Sequence, residues 1–201
     1  MDDALVLFGV AGVGKSTVAR HCSLEWQAKR CVDVATVREV LRSYHPELEL
    51  STYDVWQLAG KEPTTENLVK GFDIYTAVLW PSLRQVLRRS AADGSTLVLE
   101  GAMMSPDQVC RFDEPGLRLH PRMLYLTDAA AHLRRLKGSV PEGSGIQRRL
   151  VDSFPLIRAL QDHLAHLCRC YDVPIIENNS LRATVDGILA SLPPSEHRRR
   201  D

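Results

Sequence analysis

Short apolar runs alternate with longer stretches of helical period along the whole chain. "ALVLF" (Ala4 to Phe8), "CVDVA" (Cys31 to Ala35), "STLVLEG", "PRMLYLTD" and "VPIIEN" read as strands. The helical stretches between them carry apolar residues every three or four positions. Val18, Cys22 and Trp26 form one such stripe, and "TVREVLRSY" turns Val37, Val40, Leu41 and Tyr44 inward. "STYDVWQLAG" opens with Ser51 and Asp54 at capping-box spacing and predicts a brief helix to Gly60. "TTENLVKGFDIYTAVLWPSLRQVLRRSAADG" keeps helical period, with Pro81 expected to kink or split it. Further helices are predicted at "AAAHLRRLKG", from about Ile146 to Tyr171 with a break near Pro155, and at "SLRATVDGILASL" behind Ser180 as cap.

Strand and helix alternate, which predicts an α/β fold: a five-stranded parallel sheet with helices on both faces. One domain is expected over residues 1–192, followed by a polar tail at 193–201. Ligands in such sheets bind beyond the carboxyl ends of the strands. That rule gathers the Gly9 loop, Asp33, Glu100 and Asp128 on one rim.

The loop after the first strand reads "GVAGVGKST" (residues 9–17) and fits G-x-x-x-x-G-K-[ST]. The pattern needs a strand before it and a helix after it, and both are predicted. Glycines let the backbone N–H groups of Gly12, Val13 and Gly14 wrap phosphates, and the helix N-terminus adds a favourable field. Lys15 then reaches the β- and γ-phosphates, Ser16 holds Mg²⁺ through its hydroxyl, and Thr17 touches the α-phosphate.

Composition narrows the partners. The chain has 201 residues, 44% apolar and 25% charged, with zero net charge and a pI near 7.0. This argues against nucleic acid or a membrane surface as the main partner. No apolar run reaches the length of a membrane span. "MDDALVLF" carries acids where a signal peptide carries bases, so a cytoplasmic location is expected. Five cysteines with no C-x-x-C pair speak against a disulfide framework. His163, His166 and Cys170 share one helical face, either as an ordinary partly buried helix or as metal ligands. Arginine outnumbers lysine 20 to 5, which points to a GC-rich genome.

Three kinds of P-loop protein compete. A GTPase needs N-K-x-D, which is absent, and no apolar strand leads into "DEPG" (Asp113 to Gly116). A motor or transporter ATPase needs an apolar strand ending in two acids, whereas "LVLEG" ends in one. A small-molecule kinase needs mobile arginines over the transferring phosphoryl. "HLRRLKGSVPEGSGIQRR" supplies Arg134, Arg135, Lys137, Arg148 and Arg149 around a Gly/Pro/Ser loop, a lid at about 134–149.

"GVAGVGKSTVAR", "TVREVLR", "STYDVW", "KGF", "LVLEGAMMSP", "YLTDAAAHLRRL", "FPLIRALQDHL" and "VPIIENNSLRATVDGIL", in this order, resemble the kinase domain of 2-phosphoglycerate kinase-like P-loop proteins. The resemblance spans about residues 4–190. It implies ATP and Mg²⁺, an alcohol acceptor and a nucleoside-monophosphate-kinase-like fold. Archaeal members carry a further N-terminal nucleotide-binding module ahead of this domain. The family also tends to show Thr-Asp ahead of "VRE", where this chain has Val34 and Ala35. The acid that orients the acceptor hydroxyl is then Asp33 or Glu100.

The expected site follows. Lys15, Asp33, Glu100, Arg135 and Arg148 are assigned to catalysis, with Ser16 and Glu100 on the metal. Gly12, Val13, Gly14, Lys15, Ser16, Thr17 and Arg134 bind the nucleotide, and Asn178 and Asn179 lie near the adenine. Arg38, matched to the family's "VRE", grips an anionic group of the acceptor with Arg42, Tyr53 and Lys70 around it. Each has a plainer alternative. Arg38 can pair with Glu39 or Glu47, Lys70 can be a solvated charge, and Tyr53 and Trp56 can be core. The predicted activity is ATP-dependent phosphorylation of a hydroxyl on a small anionic metabolite, a phosphosugar, nucleoside or nucleotide-like intermediate. A bacterial specialised pathway suits it. The alternatives are a 2-phosphoglycerate kinase making 2,3-bisphosphoglycerate and a regulator that holds ATP without transfer. Homodimerisation is left open.

Overall fold

The computed structural model describes residues 2–45 and 49–194. Glu47 and residues 195–201 of the polar tail lie outside the described residues. Five parallel strands form one sheet in the order β2-β3-β1-β4-β5, comprising β1 (Asp2–Phe8), β2 (Arg30–Asp33), β3 (Leu97–Gly101), β4 (Leu117–Tyr125) and β5 (Ile175–Glu177). The central strand β1 and its neighbour β3 are buried almost throughout, as expected of parallel strands covered on both faces.

The helices are α1 (Lys15–Glu25), α2 (Val34–Leu41), α3 (Thr65–Ala92), α4 (Pro106–Cys110), α5 (Ala129–Gly138), α6 (Gly145–Asp152), α7 (Phe154–Cys170) and α8 (Leu181–Ala190). Val18, Cys22 and Trp26 are buried as their spacing predicts. Pro155 starts α7, where its missing N–H costs nothing.

Four local expectations change. The second strand stops at Asp33, and Val34 and Ala35 already belong to α2. The Asp33 carboxylate accepts from the Ala35 amide at 2.8 Å, so the side chain that ends the strand also starts the helix. On α2, Val37 and Leu41 pack on the core, but Val40 and Tyr44 are 65% and 77% exposed, because this short helix lies over the sheet edge. Pro81 neither splits nor ends α3, which runs unbroken for 28 residues with Leu79 and Leu83 buried on either side of it. Packing of one long apolar face outweighs the single lost backbone bond. Residues 51–60 form turns and a 3₁₀ helix at Val55–Leu58 rather than an α-helix.

That 3₁₀ segment is seated on α3 through Gly71. A Cβ at Gly71 would overlap the Val55 carbonyl. Gly71→Ala is therefore expected to destabilise the fold by about 2–4 kcal/mol through forced overpacking. Thermal unfolding reads this directly, and an unchanged melting temperature would show that the segment does not depend on the close approach.

Candidate active site

The strand ends and the loop after β1 build two adjoining hollows. The first is a phosphate cradle. Gly12 and Gly14 adopt φ of +82° and +91°, a left-handed backbone that favours glycine, and Gly14 caps α1. These residues, with Lys15, Ser16, Thr17, Arg135, Gly138 and Ser139, line a cavity of about 510 Å³. The N-terminus of α1 thus opens onto a roomy hollow with a guanidinium at its wall, a setting for polyphosphate.

Lys15 is 9% exposed, and its Nζ donates to the Val10 carbonyl at 2.8 Å. Burial lowers its pKa to about 8, with Glu100 and then Asp33 pulling it back up. Glu100, at the end of β3, is 5% exposed. Burial pushes its carboxyl upward, while a hydrogen bond from Ser16 and the nearby Lys15 charge favour the carboxylate. The donor set of a hydroxyl beside a carboxylate suits Mg²⁺, which takes oxygen ligands and shares them with substrate phosphates.

The second hollow, of about 210 Å³, adjoins the first through Lys15 and Ser16. Asp33 and Glu100, directly paired across β2 and β3, stand at one side of it. Arg38 faces them from α2, and Thr52, Leu79 and Met103 complete the wall. Arg38 donates to Glu39 at 2.8 Å and bonds the Tyr75 hydroxyl, while its Nε is buried without a partner. Arg38 therefore makes the plainer pair with Glu39 and at the same time lines the cavity.

Other expected residues sit elsewhere. Arg42 donates to Glu39 at 2.8 Å and to the Glu49 carbonyl at 3.4 Å. Lys70 is exposed and paired with Glu66 at 2.6 Å, outside the wall of the second hollow. Tyr53 is buried in the core, and its neighbour Thr52 takes the cavity-lining position. Arg134 is exposed on α5, Arg148 reaches the Gly143 carbonyl at 3.4 Å, and Arg149 pairs with Asp54 at 2.6 Å. Of the lid arginines, Arg135 is the one that lines the cradle in this conformation. Asn178 is buried against the phosphate loop, its Nδ2 donating to the Val13 carbonyl at 2.8 Å, and Asn179 is exposed. The suspected metal face does not assemble. Cys170 lies 3.8 Å from His166, His163 packs edge-on to Phe72, and no metal-holding group of three such residues occurs among the described residues.

Thr52, Met103, Tyr75 and His132 were assigned no role from the sequence, and only the fold brings them to the site. Spacing cannot show a contact between residues so far apart in the chain.

Known proteins resemble the chain in sequence and in fold. The chain is similar to 2-phosphoglycerate kinases. It is 25% identical to the one from Methanopyrus kandleri over 195 residues, covering 92% of this chain and 59% of that protein. It is 24% identical to the one from Pyrococcus horikoshii, covering 94% of this chain and 63% of that protein. The chain thus spans about three fifths of these relatives' length. No protein-family model matches it. In structure it resembles a gluconokinase from Sinorhizobium meliloti, with TM-score 0.54 and 15% identity over 94% of this chain and 90% of that one. It also resembles the tunicamycin resistance protein of Deinococcus radiodurans, with TM-score 0.53 and 14% identity over 97% and 99%. The fold is the nucleoside-monophosphate-kinase-like P-loop fold expected from the sequence. Among the described residues no helix is long and apolar enough to cross a membrane.

Proposed function

We propose that the protein is an ATP:alcohol phosphotransferase acting on a small metabolite with a hydroxyl and an anionic group. The observation that carries this reading is the join between the two hollows. A cradle for a triphosphate opens, at Lys15 and Ser16, onto a separate cavity with two carboxylates and one guanidinium in its wall. A protein that only hydrolyses or senses ATP has no need of that second, amphipathic cavity. Kinship with 2-phosphoglycerate kinases supports transfer to a hydroxyl.

The roles follow from placement. Lys15 and the loop amides hold the phosphates, and Arg135 neutralises charge from the lid. Ser16, with Glu100 behind it, would hold Mg²⁺, which would supply charge neutralisation on the phosphates. Asp33 spends one oxygen on the α2 cap and keeps the other, 3.4 Å from the Thr36 hydroxyl, at the edge of the acceptor cavity. It is the acid we assign to the acceptor hydroxyl, which it orients and whose proton it takes. Arg38 grips the anionic group.

The second reading is 2-phosphoglycerate as acceptor, favoured by the relatives' name. The cavity speaks for a less charged molecule, since its cationic lining of Lys15 and Arg38 is offset by the carboxylates of Asp33 and Glu100. A phosphate-transfer assay over 2-phosphoglycerate, phosphosugars, nucleosides and hydroxy acids tests both. ATP consumption that no acceptor accelerates would instead favour a nucleotide-binding regulator. Arg38→Ala is expected to raise the acceptor KM by about tenfold or more while moving the ATP KM little, as loss of a charge-assisted contact should. Equal effects on both would take Arg38 out of the acceptor cavity.

A further inference from the structure

An anion cradle made of backbone N–H groups works only if the carbonyls of the same loop point elsewhere. Here three of them are held by side chains. Lys15 Nζ donates to Val10 O at 2.8 Å, Asn178 Nδ2 to Val13 O at 2.8 Å, and His132 Nε2 to Ala11 O at 2.7 Å. The first two were suspected of nucleotide contact from sequence. His132 was given no role there, and it comes from α5, the helix that carries Arg134 and Arg135.

His132 is fully buried. Its ring packs edge-on to Phe154, with centroids 5.3 Å apart and planes at 74°. Its Cδ2 lies 3.2 Å from an ideal Cβ at Gly12, a tight contact beside those of Leu136 at 3.0 and 3.1 Å, so α5 packs closely on a bare Gly12. On the far side, Nδ1 faces the Arg158 guanidinium at 3.5 Å. Arg158 is itself fixed by the carbonyls of Leu126 and Thr127, at the end of β4. A carbonyl can only accept, and a guanidinium can only donate. The ring is therefore neutral with its proton on Nε2. Burial, with Arg158, Lys15 and Arg135 nearby, pushes its pKa down in agreement. His132 also lies one helical turn before Arg135, whose guanidinium reaches within 3.8 Å of where a Gly14 side chain would start.

We infer that His132 is a positioning residue. By donating from Nε2 to Ala11 O it holds the phosphate loop in its anion-binding shape and sets the helix that delivers Arg135 over the cradle. This rests on the proposed ATP site. It predicts a loss concentrated on the β- and γ-phosphates, because Ala11 belongs to the loop proposed to cradle them.

The test compares ATP and AMP binding by titration in the wild type, His132→Leu and His132→Gln, with melting temperatures alongside. His132→Leu is expected to weaken ATP by about tenfold and AMP by less than about threefold, the loss of one buried donor expressed only where the cradle is used. The Gln amide can still donate to Ala11 O, and His132→Gln is expected to bind ATP within about threefold of wild type. If His132→Leu is too unstable, His132→Phe keeps the ring against Phe154 and removes the donor. ATP affinity unchanged in the donor-free variants overturns the inference, as does an equal loss of ATP and AMP. A wild-type protein that fails to bind ATP overturns the ATP site itself and the inference with it.

Discussion

Lys15→Met is expected to cut phosphate transfer by about a hundredfold or more while leaving the protein at least as heat-stable as before. The first half follows from position. The ammonium is the one lysine charge that lines both hollows, so under the proposed function it meets the phosphoryl group that moves between them. The second half follows from burial. The lysine releases its proton at about 8 in the folded protein, against 10.5 ordinarily. Below pH 8 the charged side chain costs the fold roughly 3 kcal/mol, and the cost fades as pH rises toward the unfolded value. Methionine fills the same space without that charge and forfeits one hydrogen bond to Val10. The charged form is also the one that binds phosphate, so wild-type affinity for ATP is expected to weaken as pH rises through about 8. Retained transfer in Lys15→Met, or ATP affinity flat between pH 7 and pH 9, would remove Lys15 from its role.

Glu100→Gln should lower turnover by about a hundredfold and raise the Mg²⁺ concentration needed for activity. The carboxylate backs Ser16 and is the strongest of the nearby charges holding the Lys15 proton. Neutralising it leaves the lysine's burial less opposed, so the alkaline loss of ATP binding should begin at lower pH than in the wild type. That shift separates an electrostatic role from mere packing, since glutamine has nearly the same volume. A variant with normal Mg²⁺ dependence and an unmoved pH limb would leave Glu100 as a buried strand end.

Much of the frame was legible in the residues because it depends on neighbours in the chain. "ALVLFGVAGVGKST" holds strand, turn and helix start within fourteen residues, and the glycine conformations follow from the loop itself. The apolar stripe of Val18, Cys22 and Trp26 is local for the same reason. The errors came where local pattern and packing compete. Val40 and Tyr44 keep helical spacing yet face outward, because nothing covers that side of α2 among the described residues. Pro81 carries a strong breaker signal, and the buried face of α3 overrides it.

By itself the sequence determined the alternation of strand and helix, the phosphate loop and the acid that ends β3, because each is set by bonds and periods a few residues long. Which charges meet was decided only in three dimensions. The sheet order brings Asp33 beside Glu100, Arg149 is drawn to Asp54, and His132 reaches Ala11 across 121 positions. Contacts between distant segments depend on how elements stack, and stacking energy is spread over a whole buried face. No short stretch of residues records it.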